Sequence, residues 1–209
     1  MDPRLFFIGL WRHECFRTFE DKLITLEDKK MYKDILDRVT KDKFRENLGF
    51  EDEQLMTDLL FADYQRDDIY NEVGELEEEA PYVYEAIPSI EAIKKRTVER
   101  MAEYNEKYPA KKMDLVIFND ALFHLLRITR VINNPSGNIL LVGVGGSGKQ
   151  SLTKLGSFIA HKLMPVTLVV TKNYTLTNLL DDIRVMYEEA GPKGGKVTFL
   201  LTDAEIKTE

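Results

Sequence analysis

Seven residues, Gly143-Val144-Gly145-Gly146-Ser147-Gly148-Lys149, set four glycines and a lysine in one short turn. Residues without a Cβ let successive backbone N–H groups point into one concavity, and a helix starting there adds partial positive charge. The chemistry such a turn performs is phosphate binding. Two motifs overlap on it. Gly143, Gly148 and Lys149 match G-x-x-x-x-G-K, a phosphate-binding P-loop, whereas Gly143, Gly145 and Gly148 match the G-x-G-x-x-G of dinucleotide sites. The position of Lys149 favours the first, since its ammonium can reach the β- and γ-phosphates. A dinucleotide site also needs an acid roughly 20 residues further on, at the end of the next strand, to bind the ribose. Thr171-Lys172-Asn173 stands there instead.

A second half of the nucleotide signature lies downstream. Thr198-Phe199-Leu200-Leu201-Thr202-Asp203 puts an aspartate at the end of an apolar run, where its carboxylate can hold magnesium directly or through water. Two neighbours depart from an efficient ATPase. The hydroxyl residue expected after the lysine is Gln150, a longer neutral ligand, and Ser151 is turned away by ~100° on a helix. After Asp203 comes Ala204, with Glu205 one step further, where an extended chain turns its side chain to the other face. Binding is better supported than hydrolysis, and no residue stands out as catalytic.

The elements around the turn are readable from periodicity. Residues 138–142 form a short apolar run, the turn follows, and Leu152, Leu155, Ile159 and Leu163 recur at helical spacing. Val166–Thr171 and Val197–Leu201 read as strands, with a helix from Leu176 to Ala190 between them. Strand, helix, strand, helix, strand with short connections predicts an α/β fold, a parallel sheet with flanking helices. Three strands with open edges are few for that class, so the sheet looks truncated after Asp203. Upstream, Ser89 offers an N-cap to a helix ending near Tyr108-Pro109. A further helix is expected from Asp114 to Ile132, stopped at Asn133-Asn134-Pro135 by an asparagine in a left-handed cap. Leu10–Asn47 reads as a pair of amphipathic helices burying Leu10, Trp11, Cys15, Phe16 and Phe19, then Met31, Ile35, Leu36 and Val39. Gly49–Pro88 reads as a surface connection, with five acids between Glu72 and Glu79 forming a solvated face. The domain boundaries that follow are 1–48, a helical lid-type segment; 49–113, a connection with a helix; and 114–209, the P-loop core.

Composition sets the outer limits. The 209 residues carry a net charge of −7, which argues against a nucleic-acid binder, since such proteins present a basic face. No apolar run approaches the ~20 residues of a membrane span, and Arg12, His13 and Glu14 interrupt any signal-peptide pattern. Cys15 is alone, and His13, His124 and His161 are scattered, so zinc spacing is absent and a reducing intracellular setting is expected.

Beyond these readings, residues 113–155, MDLVIFNDALFHLLRITRVINNPSGNILLVGVGGSGKQSLTKL, closely resemble the start of the fourth AAA+ module of axonemal dynein heavy chains. Residues 172–209 resemble that module's continuation to its Walker B strand, and GLWRHECFRTFEDKL (9–23) resembles the helical close of the third module. Phe50–Pro88 is weakly anchored by these matches. The resemblance implies a segment of an ATP-driven microtubule motor of cilia and flagella, whose AAA+ modules form a ring. It implies ATP or ADP with Mg2+ as cofactors, in the cytoplasm, on the cytoskeleton and in the axoneme of the cilium or flagellum. Implied partners are the remaining modules of the heavy chain, dynein intermediate and light chains, and microtubules; membranes and nucleic acid are not among them. Carried over by residue, the loop Gly143–Gly148 with Lys149, Gln150 and Ser151 would hold the phosphates, and Leu115, Val116, Ile117 and Phe118 would lie near the adenine. Asp203, with Gln150, would hold magnesium. Arg12 is a candidate second sensor of the preceding module, or else a surface salt-bridge residue. Two other functions stay open: a structural ring module with a vestigial P-loop, and a dinucleotide-dependent oxidoreductase.

Overall fold

The computed structural model describes residues 2–45, 48–78 and 80–206. Asn47 and Glu79, which close the helical stretch and the acid run read from the sequence, lie outside them, as does Glu209. The chain divides into two compact units, Met1–Ile93 and Lys94–Glu209.

In the first unit, the Asp2 carboxylate accepts from the Arg4 N–H and Pro3 supplies the first helical residue, which starts helix α1 (Pro3–Phe19). A single 3-10 turn, Glu20–Lys22, ends it. Helix α2 (Leu26–Thr40) begins at Thr25, whose hydroxyl accepts from the Asp28 N–H, with Glu27 and Asp28 favourable in its first turn. It runs into a π turn, Lys41–Arg45. The pair of helices is as expected, but the buried face is not. Ile8, Gly9 and Arg12 are buried in α1, while Phe19, Met31 and Ile35 are exposed.

Residues 49–88 are more than a surface connection. After the short helix α3 (Asp52–Leu55), strand β1 (Phe61–Ala62) is followed by the hairpin of β2 (Ile69–Tyr70) and β3 (Leu76–Glu78), then β4 (Glu85–Ala86). β1 pairs antiparallel with β4, placing Phe61 opposite Ala86. Leu55, Phe61 and Tyr64 from this stretch are buried, and the Phe6 ring meets Phe61 edge-on at 5.4 Å. A run rich in acids and prolines hides these few apolar anchors from a periodicity reading, because Leu55 sits in a one-turn helix, Phe61 in a two-residue strand and Tyr64 in neither.

The second unit is built on two packed helices, α5 (Asn119–Asn133) and α6 (Lys149–His161). Leu122, Leu125 and Ile128 of α5 are buried with Leu155 and Ile159 of α6. Gly156 lets them close: a Cβ there would lie 2.8 Å from Ile128 Cγ2 and 3.6 Å from Leu125 Cδ1. Replacing Gly156 by alanine is therefore expected to destabilise the unit by ~1–2 kcal/mol, the cost of overpacking exceeding the helix-propensity gain. A denaturant midpoint equal to or above the parent's would contradict this packing.

Helix α4 (Ile90–Lys107) starts at Ser89, whose hydroxyl accepts from the Ala92 N–H as expected of an N-cap. Its Tyr104 ring stands edge-on to Phe158 at 5.5 Å. The helix expected from Asp114 begins instead at Asn119. Residues 113–118 form neither helix nor strand; the Asn105 amide donates to the Met113 carbonyl at 2.9 Å and its oxygen accepts from the Met113 N–H at 2.8 Å. At the far end of α5 the left-handed residue is Ser136 (φ 54), and Asn134 is extended.

Helix α7 (Leu176–Ala190) forms where expected, opened by a capping box between Thr175 and Asn178. Of the expected parallel sheet, the described residues show only a trace. Among the described residues the three apolar segments show one parallel bridge, Val166 to Phe199, made by Val166 N–H to Thr198 O at 2.8 Å and Leu200 N–H to Val166 O at 2.9 Å. Residues 138–142 are not a strand, and Leu140 and Val142 are 87% and 86% exposed. All-parallel sheets occur almost only with both faces covered, and here Leu140, Val142, Val169 and Leu201 stay exposed. No described helix is long and apolar enough to cross a membrane.

Candidate nucleotide site

The glycine-rich turn links residues 138–142 to α6, with Gly148 as the N-cap of α6 at φ 82. Gly146 is also left-handed, at φ 76. Only glycine takes these angles without strain, so the residue types follow from the turn they make. A Cβ at Gly145, Gly146 or Gly148 would meet nothing within 4 Å, so the face of the loop is open. An open arc of backbone at the head of a 13-residue helix is a cradle of the right chemistry for phosphate oxygens. Phosphates fit this site.

Lys149 lies at the first position of α6, and its ammonium turns back over the loop. It donates to Gly143 O at 2.7 Å, Val144 O at 2.8 Å and Ser147 Oγ at 3.2 Å. Gln150 is exposed, Ser151 is half-buried, and Thr153 donates its hydroxyl to Lys149 O at 2.9 Å, tying the first turn together.

The apolar strip 115–118 alternates. Ile117 is buried, Leu115 half-buried, and Val116 and Phe118 are exposed. Sequence reading missed Asn105, whose amide holds the start of this strip in place. The available signal was an amide in the last turns of a helix that Tyr108-Pro109 must end.

Asp203 opens a 3-10 turn, Asp203–Glu205, and does not end a strand. Thr202 is its N-cap: the Thr202 N–H donates to Glu205 Oε2 at 2.5 Å, and the Thr202 hydroxyl accepts from the Glu205 N–H. Glu205 is thus held by backbone, and Ala204 is exposed. Among the described residues the side chains of Asp203 and Gln150 make no hydrogen bond or ion pair. Both offer oxygen donors of the hard type that magnesium takes.

At the other end of α6, burial raises the Glu103 pKa while Arg100 and Lys162 outweigh that and hold it below the usual glutamate value. Arg100 Nη1 lies 2.8 Å and Lys162 Nζ 3.1 Å from Glu103 Oε2. This clasp fixes α4 to the end of the helix that begins at the loop.

Arg12, in the first unit, is not at the surface. Its side chain is 0% exposed, Nη2 lies 2.7 Å from Asp37 Oδ1 and 2.6 Å from Asp58 Oδ1, and Nη1 donates to Thr40 Oγ1 at 2.9 Å. Lys33 Nζ lies 2.7 Å from Asp58 Oδ2. Partial burial raises the Asp58 pKa, but hydrogen bonds from Lys33 and Arg12 outweigh it and hold the carboxyl below its ordinary value of 3.8. A carboxyl whose pKa is depressed by folding stabilises the fold above the ordinary value, and that stability is lost as pH falls through the depressed one. The denaturant midpoint should therefore hold steady down to about pH 5 and then fall below pH 4. Asp58→Asn should flatten that acid-side slope; an unchanged slope would show that Asp58 does not carry it.

Residues 113–209, from the strip through the loop to Asp203, match the family of the P-loop containing dynein motor region D4. The chain belongs to the dynein heavy chain family. It is 39% identical over 97% of its length to dynein axonemal heavy chain 8 of Homo sapiens, and 41% over 97% to dynein axonemal heavy chain 5 of Mus musculus. It is 38% identical over 99% of its length to the dynein gamma chain of the flagellar outer arm of Chlamydomonas reinhardtii. In each case it spans 4% of the length of that relative. Dynein likeness therefore runs through 50–88 as well, the stretch that motif resemblance anchored weakly.

Proposed function

We propose that this dynein segment supplies a nucleotide-binding regulatory site to an ATP-driven microtubule motor of cilia and flagella. The observation that carries the reading is the open glycine arc with Lys149 at the head of α6, in a chain similar to axonemal dyneins along almost all its length. ATP or ADP would lie with its phosphates on residues 143–149 and its adenine by Leu115–Phe118. Mg2+ would be held by the phosphates with Asp203 and Gln150. Hydrolysis would be weak: Ala204 offers no carboxylate to orient water, and Glu205 is engaged by the Thr202 N–H.

Residues 1–48 would close one AAA+ module as a helical lid, 49–113 connect it to the next, and 114–209 open that next module. Residues 138–142, 166–171 and 197–201 would be strands of its parallel sheet, and the Val166–Phe199 bridge supports that order. For Arg12 the geometry favours an anchor over a second sensor, since a sensor must exchange Asp37, Asp58 and Thr40 for a phosphate. Partners would be the remaining modules of the heavy chain, microtubules, and dynein intermediate and light chains. The setting would be the axoneme, with passage through the cytoplasm and residence on the cytoskeleton.

The competing reading, a ring module with a vestigial loop, draws on the exposed Gln150 and on Ala204. Titrating the intact protein with a fluorescent ATP analogue and with NADH separates the readings. Magnesium-dependent binding of the ATP analogue that Lys149→Ala weakens, without NADH binding, is expected. Binding indifferent to Lys149 would favour the vestigial loop.

A further inference from the structure

An ammonium group carries three hydrogens, and all three of Lys149 are engaged by oxygens of its own loop: Gly143 O at 2.7 Å, Val144 O at 2.8 Å and Ser147 Oγ at 3.2 Å. The first two are backbone atoms that any sequence would offer. The third depends on residue 147 being hydroxylic. We infer that the loop is self-capped, with Ser147 acting as the positioning residue that holds Lys149 on the Gly143 and Val144 carbonyls until phosphate displaces it.

The inference rests on the nucleotide reading above for the identity of the displacing anion, but the cap itself does not. Physical reasons set its direction. The three acceptors are neutral, whereas phosphate oxygens are charged and accept stronger hydrogen bonds from a cation. Phosphate therefore wins the lysine, but against a competitor already in place rather than against water alone. The open space before Gly145, Gly146 and Gly148 lets the anion reach the backbone first. Lysine transfer would then complete binding. Ser147 so weakens the resting affinity and keeps an unliganded loop from holding a bare cation toward solvent.

The test follows the lysine nitrogen itself. In the intact protein without nucleotide, acylation of Lys149 by a water-soluble N-hydroxysuccinimide ester is timed by mass spectrometry of the peptide that contains it. Acylation requires the nitrogen to leave its acceptors. Loss of one hydrogen bond in Ser147→Ala should speed it about threefold to tenfold, and Ser147→Thr should restore the slow rate. Lys154, on the same helix, is the internal control, because general loosening would accelerate both. An equal rate at Lys149 in parent and Ser147→Ala, or a matching rise at Lys154, overturns the self-cap. Saturating MgATP should then slow Lys149 again in Ser147→Ala. If it does not while the serine effect stands, the nucleotide reading fails and the cap survives.

Discussion

Alanine in place of Lys149 is expected to weaken MgATP at this loop by roughly tenfold to a hundredfold, from the ~1.5–3 kcal/mol of a hydrogen bond to a charged group. The ammonium is the only cation the loop itself carries, and it sits at the head of α6, where phosphate would meet the N–H arc. Because Lys149 already has three neutral acceptors, part of its interaction with phosphate replaces existing bonds, which places the effect toward the smaller end. Stability should change little, since the carbonyls released, Gly143 and Val144, are exposed and water can take the lysine's place. Measured as occupancy of the loop against nucleotide concentration, an unchanged midpoint would remove the lysine from binding. A collapse in stability alongside the lost binding would show that the lysine holds the fold instead.

Arg12→Met should cost about 3 kcal/mol of stability, near the low end for removing one partner of a buried ion pair. Methionine roughly fills the space of the arginine stem, but Asp37 and Asp58 lose their shared cation. Both acids keep some contact with water, 29% and 36% exposed, which tempers the loss. Arg12→Lys is not a conservative change here. A single ammonium cannot present the planar fork that meets Asp37, Asp58 and Thr40 together. Both variants should lower Tm, Arg12→Met by roughly 6–12 °C for a protein of this size. A fall of less than 2 °C, or full rescue by lysine, would show the network to be dispensable.

How much of this was legible in the sequence depends on where the signal is local. The P-loop was, because four glycines and a lysine encode backbone angles and charge in seven consecutive residues. Helices α4, α6 and α7 were, since each has a cap residue and an apolar stripe. Arg12 was not. A charged residue between apolar ones reads as the outer face of a helix, and only Asp37 and Asp58, 25 and 46 residues away, turn it inward. The start of α5 was misplaced for a similar reason: Met113 to Phe118 continues a helical apolar stripe, and the Asn105 amide that ties down Met113 lies eight residues upstream. The parallel sheet was read from apolar runs alone, and such runs state a need for covering without supplying it. Glu205 shows the same dependence on distance. On an extended chain its side chain would share the Asp203 face, but the 3-10 turn carries it back to the Thr202 N–H instead.

In the proposed function, nucleotide phosphates sit on residues 143–149. Photolabelling the intact protein with an azido-adenine ATP analogue and magnesium, then sequencing the labelled peptides, tests it most directly. Label is expected on the strip Leu115–Phe118, displaced by unlabelled ATP and lost in Lys149→Ala. Label absent from residues 113–151, while other nucleotide sites of the same protein are labelled, would contradict it.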